Sequence, residues 1–179
     1  MLAKTLPDLA LLQEIFAIDE VSPSGLIWKK PRSKRLKAGA VAGYKNQRGY
    51  WMVGINFPNP KNYLVHRIIW FMSTETDPGA SLIDHIDQDT SNNKVINLRL
   101  ATHKTNKLNR PKPKNKNSKS IYKGVCFEKK ANKWYSRIYY KGKRYYLGTF
   151  NTELEAAKAY DKKAKSFDCP FIVFNFPNE

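Results

Sequence analysis

Acidic residues are scarce in this chain. Its 179 residues include 15 aspartates and glutamates against 32 lysines and arginines, a formal charge of +17. Cysteine is scarcer still: Cys126 and Cys169 stand alone, which excludes a disulfide framework, and the lack of any C-x-x-C pair excludes a zinc ribbon or finger. No run approaches the roughly 18 apolar residues that a membrane span needs, and no signal-peptide core opens the chain. Nor is there a basic helix with a clean apolar face, so nucleic acid leads an anionic membrane as the polyanion to expect. Apolar residues at 41% and aromatic residues at 13% exclude wholesale disorder. The expectation is a cytoplasmic protein of one large or two small domains, with no membrane association and no obligate protein partner.

The positive charge is unevenly spread. Residues 1–103 hold 13 basic and 9 acidic side chains, whereas 104–119 hold seven basic, no acidic and two prolines. Pro111 and Pro113, among Asn and Ser, favour an extended strap over a helix. Residues 121–179 carry 12 basic and 6 acidic side chains with an aromatic pattern of their own. This predicts a domain over 1–109, a basic linker over 110–120 and a second domain over 121–179. Arg110, Lys112 and Lys114 of the strap are candidates to lie along phosphates, a contact that weakens steeply with salt. The plainer alternative is a solvated spacer.

In the first domain a helix is predicted over Pro7–Ala17, with Thr5 as N-cap and Leu9, Leu12 and Phe16 on one face. Short strands follow at Leu26–Lys29, Tyr50–Asn56 and Tyr63–Val65, then a helix over His66–Ser73. The order Ile83–Asp87, polar loop, Asn97–Thr102, helix from His103 to Leu108 makes a compact ββα unit. The loop holds the sharpest chemical signal: Asp84-His85 with Asn97 and Asn106 at +12 and +21 from the histidine. A histidine beside a carboxylate, with an amide oxygen returned by a helix, suits phosphodiester hydrolysis. The imidazole, with an ordinary pKa of about 6.5, is largely neutral at pH 7 and can take a proton from water. Aspartate and an asparagine carbonyl are hard oxygen ligands that favour magnesium or manganese over zinc. His66 reads as structural and His103 as helix surface, while Asp87 and Asp89 read as a solvated turn, with spare metal ligands as the alternative. Asn92 and Asn93 read as turn residues.

The segments LVHRIIWFM, LIDHIDQDTSNN, NLRLAT and TNKLN resemble the HNH endonucleases, particularly the phage and intron-associated homing type. The resemblance covers roughly 25–109 and implies a ββα-metal fold in a phage or bacterial protein. It implies His85 as general base, Asp84 and Asn106 as metal ligands, Asn97 as the residue pinning the loop, and Arg99 as a phosphate contact. Gln88 stands where the pattern has glycine.

Residues 121–150 alternate with period two, placing Trp134, Ser136 and Ile138 on one face and Tyr135, Arg137 and Tyr139 on the other. Lys141-Gly142-Lys143 is a turn, and Arg144–Gly148 the next strand. Thr152 with Glu155 makes a capping box, and the helix after it places Leu154, Ala157, Tyr160, Ala164 and Phe167 on one face. A three-stranded sheet covered on one side by this helix leaves open a basic, aromatic face of Tyr135, Arg137, Tyr139, Arg144 and Tyr146, the candidate DNA-binding surface. YKGV, LGTFNTELEAAKAYDKKA and NFP resemble the plant APETALA/ethylene-response-factor DNA-binding domain along most of 121–177. That family docks its sheet in the major groove. The resemblance implies DNA contacts at Lys123, Gly124, Arg144 and Tyr146; Cys126, Arg137 and Tyr139 depart from the family's reading residues. The predicted class is therefore α+β, a ββα-metal nuclease module followed by a sheet on one helix. The predicted activity is a magnesium- or manganese-dependent, site-selective endonuclease on double-stranded DNA, of the homing kind. The rival is a DNA-binding regulator whose nuclease module is inactive; an RNA-binding protein ranks below both.

Overall fold

Apolar residues of the first hundred positions come in short runs between polar turns, which suits hairpins rather than long elements. The computed structural model describes residues 5–31, 36–56, 60–112 and 118–178. It divides into two compact units, Met1–Asn106 and Lys107–Glu179.

The first unit opens with α1 (Leu9–Ile15) and β1 (Phe16–Ile18), which pairs antiparallel with β2 (Leu26–Trp28). The predicted helix stops two residues early because Phe16 is extended, pairing with Trp28 and packing ring on ring at 4.6 Å. Asp8, not Thr5, stands at the N-cap. Next come β3 (Tyr44–Lys45), β4 (Trp51–Ile55) and β5 (Lys61–Leu64) in one antiparallel sheet. The helix α2 (Val65–Thr74) follows without a break and ends where Glu75 turns left-handed at φ +55°. Its Ile68 and Ile69 are poor helix formers but wholly buried, so packing rather than propensity holds the helix. Then β6 (Leu82–His85), a 3-10 turn (Val95–Asn97), β7 (Leu98–Ala101) and α3 (His103–Asn109) give the anticipated strand, loop, strand, helix order. Leu12, Phe16, Leu26, Val53, Val65, Ile68, Ile83 and Leu98 form one core under these hairpins.

In the second unit β8 (Val125–Glu128), β9 (Lys133–Tyr140) and β10 (Lys143–Phe150) form an antiparallel sheet in the order β10-β9-β8. The helix α4 (Glu153–Lys165) packs on it behind the Thr152/Glu155 capping box, with acidic residues in its first turn and lysines in its last, as the helix dipole favours. Ala156, Ala157, Tyr160 and Ala164 bury against Val125, Ser136 and Ile138. Leu154, placed on that face by periodicity, is instead exposed, and Phe167 packs from beyond the helix end. Asp161 is buried and accepts from the backbone N–H of Asn175 and of Phe176, fastening the chain end to the helix. Among the described residues no helix is long and apolar enough to cross a membrane.

Candidate active site and nucleic-acid interface

The antiparallel register of β6 and β7 sets Asp84 opposite Arg99 and His85 opposite Leu98. Asp84 is buried, and its Oδ2 accepts from Arg99 Nε at 3.0 Å and lies 2.9 Å from Nη2 of the same guanidinium. The arginine expected at a phosphate is therefore paired with the carboxylate expected at a metal. Asn97 ties the intervening loop from three directions. Its backbone oxygen accepts from Ile86 N, its Oδ1 from Asp87 N, and its Nδ2 donates to Asp87 Oδ1 and Asn92 O. Gln88, in the glycine position, takes φ +69°, so the backbone keeps a glycine-type turn. Asp87 and Asp89 are occupied with loop hydrogen bonds, and those from Ser91 hold the Asp89 carboxyl below its ordinary range.

His85 is buried, with Nε2 3.0 Å from Asn93 Oδ1. Asn93 Nδ2 in turn donates to the Ser24 carbonyl at 2.9 Å. The His66 ring meets His85 edge-on at 4.9 Å between centroids, and Tyr50 closes the group at 5.6 and 6.0 Å from the two imidazoles. Burial, with His85 and Arg67 adding to it, pushes the His66 imidazole down to about 3. A neutral His66 puts no positive charge beside His85.

Asn106 is half-buried on α3, whose first turn Thr102 caps through Thr105 N. The buried Asp84 carboxylate and the Asn106 carbonyl are hard oxygen donors. Among the described residues no three His, Cys, Asp or Glu side chains group closely enough to hold an ion. A carboxylate and an amide oxygen are donor types that suit an ion of the magnesium class rather than zinc.

On the second unit's sheet the outer face carries Tyr135, Arg137 and Tyr139 from β9 with Arg144 and Tyr146 from β10. The register sets Arg144 opposite Tyr139 and Tyr146 opposite Arg137. The Arg137 guanidinium lies 5.7 Å from the Tyr135 ring and 5.9 Å from Tyr139. Rings and guanidinium groups thus alternate on an open surface. Cys126 faces Tyr135 across the β8–β9 pair. Lys123 and Gly124 are both engaged within the unit itself. The Lys123 ammonium is mostly buried, bonded to the carbonyls of Leu108 and Arg110, and burial lowers its pKa to about 8. Gly124 has φ +75°, and a Cβ there would collide with the Tyr160 ring and the Arg137 carbonyl, so glycine is needed for packing. Lys112 points its ammonium at the Val125 carbonyl at 2.7 Å, whereas Arg110 is exposed. Lys114 lies outside the described residues.

The family model for HNH endonucleases matches residues 63–108, and that for the AP2 domain matches 120–168. The chain carries an HNH endonuclease domain followed by an AP2 domain. A Bacillus subtilis prophage protein named as an HNH homing endonuclease is 32% identical over 90 residues, 49% of each chain. An AP2-like ethylene-responsive transcription factor of Arabidopsis thaliana is 36% identical over 78 residues, 41% of this chain and 16% of that protein. An APETALA2-like protein of rice is 46% identical over 48 residues, 27% of this chain and 11% of its own length. The chain thus spans half the length of the prophage relative and a small part of each plant relative. No solved structure matches it. Asp84, His85, Asn97 and Asn106 lie within the HNH match, whereas Ser24 and Tyr50, which complete the surroundings of His85, lie before it. Asn93 looked like one of two turn asparagines. What marks it out is its burial between Ser24 and His85, which the sequence does not display.

Proposed function

We propose that the protein is a metal-dependent DNA endonuclease in which the HNH domain cuts and the AP2 domain supplies affinity and site choice. The observation that carries this reading is the buried Asp84-His85 pair on β6, followed by a loop that Asn97 clamps, within a matched HNH domain. His85 takes a proton from the attacking water. Asp84 and Asn106 would hold a divalent ion, magnesium or manganese, which when bound stabilises negative charge on the leaving oxygen. The AP2 sheet lays Arg137, Arg144 and the tyrosines against double-stranded DNA, the arginines toward phosphates or guanine edges and the rings toward base and sugar surfaces. Resemblance to a homing enzyme supports one or a few long target sites.

A second reading, a DNA-binding regulator with an inactive nuclease domain, draws on Arg99, which already compensates the Asp84 charge. Incubation with plasmid and a random-site DNA library decides between them. The nuclease cuts with magnesium or manganese, stops with chelator and leaves ends that share a sequence. Intact DNA under all metals supports the regulator.

A further inference from the structure

The chemistry of a histidine base depends on which nitrogen holds the hydrogen, and here a buried chain of amides decides it. Ser24, His85 and Asn93 are 0%, 4% and 3% exposed. Asn93 Nδ2 stands 2.9 Å from the Ser24 carbonyl and Oδ1 stands 3.0 Å from His85 Nε2. A carbonyl only accepts, so the NH2 end of the amide must face Ser24 and its oxygen must face the imidazole. Turning the amide over would set oxygen against oxygen between buried groups, at the cost of both hydrogen bonds. An oxygen opposite Nε2 in turn requires the hydrogen on Nε2.

We infer that Asn93, oriented by Ser24, is a positioning residue that fixes His85 in its Nε2–H tautomer, so that Nδ1 takes the proton. The inference rests on the nuclease reading for its consequence, not for its geometry. In the step itself the water O–H bond breaks and its proton passes to Nδ1; the oxygen's electron pair forms the new P–O bond while the P–O bond to the leaving oxygen breaks, that oxygen departing with its pair and taking a proton from solvent. The imidazolium retains its Nε2–H bond to Asn93, so the contact serves the ring before and after transfer. The turn that offers the Ser24 carbonyl is built for close approach. Ser24 Oγ donates to Leu26 O at 2.8 Å, and Gly25 sits at φ +76°, where a Cβ would lie 2.9 Å from Ile69 Cδ1 and 3.3 Å from Asn93 Cβ. A turn before the HNH match therefore shapes the base within it.

The test is a nitrogen-15 spectrum of the histidine rings in the full chain without metal, with His85 assigned by its loss in His85→Gln. The expected pattern is a protonated, pyrrole-like Nε2 and a pyridine-like Nδ1; the reverse overturns the inference. Asn93→Ala, with its fold checked by circular dichroism, should mix the tautomers. It should lower kcat for cleavage by about 10- to 100-fold while leaving KM for DNA unchanged. An Asn93→Ala protein with one Nε2–H tautomer and full kcat also overturns it. Should Asn93→Ala not fold, the unmodified protein's spectrum still decides. If no DNA is cut under any condition the nuclease reading fails, and the tautomer stands or falls on the spectrum alone.

Discussion

In the HNH unit the polar side chains that matter are buried and linked to one another: His66 against His85, His85 to Asn93, Asn97 across the loop, Asp84 to Arg99. In the AP2 unit the arginines and tyrosines of the sheet stand on its outer face, and the buried Asp161 only fastens the chain end. Under the proposed function, the difference follows from the work assigned to each region. Proton transfer needs atoms fixed to fractions of an ångström in a dry setting, which burial and satisfied hydrogen bonds supply. Groove recognition needs long side chains in reach of a partner on a rigid platform, which a helix-backed sheet supplies. Chemistry is therefore expected to be sensitive to single atoms in the first unit, and binding to shape in the second.

The largest effect expected is on cleavage. His85→Ala should lose about 10² to 10⁴ in turnover, the range for removing a general base, with DNA binding nearly unchanged because phosphate contacts supply most affinity. Asp84→Ala and Asn106→Ala should likewise stop cutting, each by losing an oxygen donor, while the metal-free protein stays folded. Single-turnover cleavage beside gel-shift titration checks both. Near-normal cutting by His85→Ala would erase the contrast between the units.

Next in size is the response to acid. His66 is held near 3 in the folded chain and has an ordinary value of 6.5, so between these pH values only the unfolded chain takes up the proton. Stability from this group is complete above pH 6.5 and is lost as pH falls toward 3, by on the order of a few kcal/mol. Urea midpoints measured from pH 7 to pH 4 should fall, with the His66 ring remaining neutral in nitrogen-15 spectra. A ring that titrates near 6.5 contradicts the packing around His85.

In the second unit the corresponding weak point is a contact of shape. Gly124→Ala forces a methyl group into the Tyr160 ring at a left-handed φ, which should destabilise the AP2 unit by about 1–3 kcal/mol or more. Cutting of nonspecific DNA should survive; affinity should not. Trp134 fluorescence during denaturation follows this unit most directly.

Much of this was legible in the sequence, and the parts that were not share a cause. The period-two alternation of 134–139 and the Thr152/Glu155 box are local patterns, and the sheet and capped helix follow them. The strand–loop–strand–helix order around Asp84 and His85 was local too. Phe16 left its predicted helix because a strand ten residues on offered Trp28 as a partner, a nonlocal pairing that periodicity does not encode. Nothing local in the sequence sets Asn93 apart, because its two partners, Ser24 and His85, meet only in the fold. Lys123 looked like a basic contact, but two backbone carbonyls 13 and 15 positions before it claim its ammonium.

Smaller still is the effect of one arginine on the exposed sheet. If Arg144 reads a guanine edge, Arg144→Ala should lose about 1–3 kcal/mol of discrimination at one base pair. If it grips phosphate, all sequences weaken alike and the salt slope falls by about one. Binding to cleaved and random duplexes across salt concentrations separates the two. No change in either quantity takes Arg144 out of the interface.

The smallest effect expected runs in the stabilising direction and tests the loop beside His85. Gln88 is exposed and holds φ +69°, with its N–H on the His85 carbonyl at 3.1 Å. A side chain in this left-handed region costs roughly 1–2 kcal/mol, because Cβ crowds the following carbonyl. Glycine removes the crowding but gives the unfolded chain more freedom, which offsets part of the gain. Gln88→Gly should therefore stabilise the HNH unit by about 0.5–1 kcal/mol, read as a higher urea midpoint, with cleavage unchanged. The Gln88 side chain makes none of the contacts that hold His85, Asn93 or Asn97 in place, so turnover has no reason to move. A lower midpoint would mean that the loop does not make the glycine-type turn, and that the clamp from Asn97 must be drawn differently.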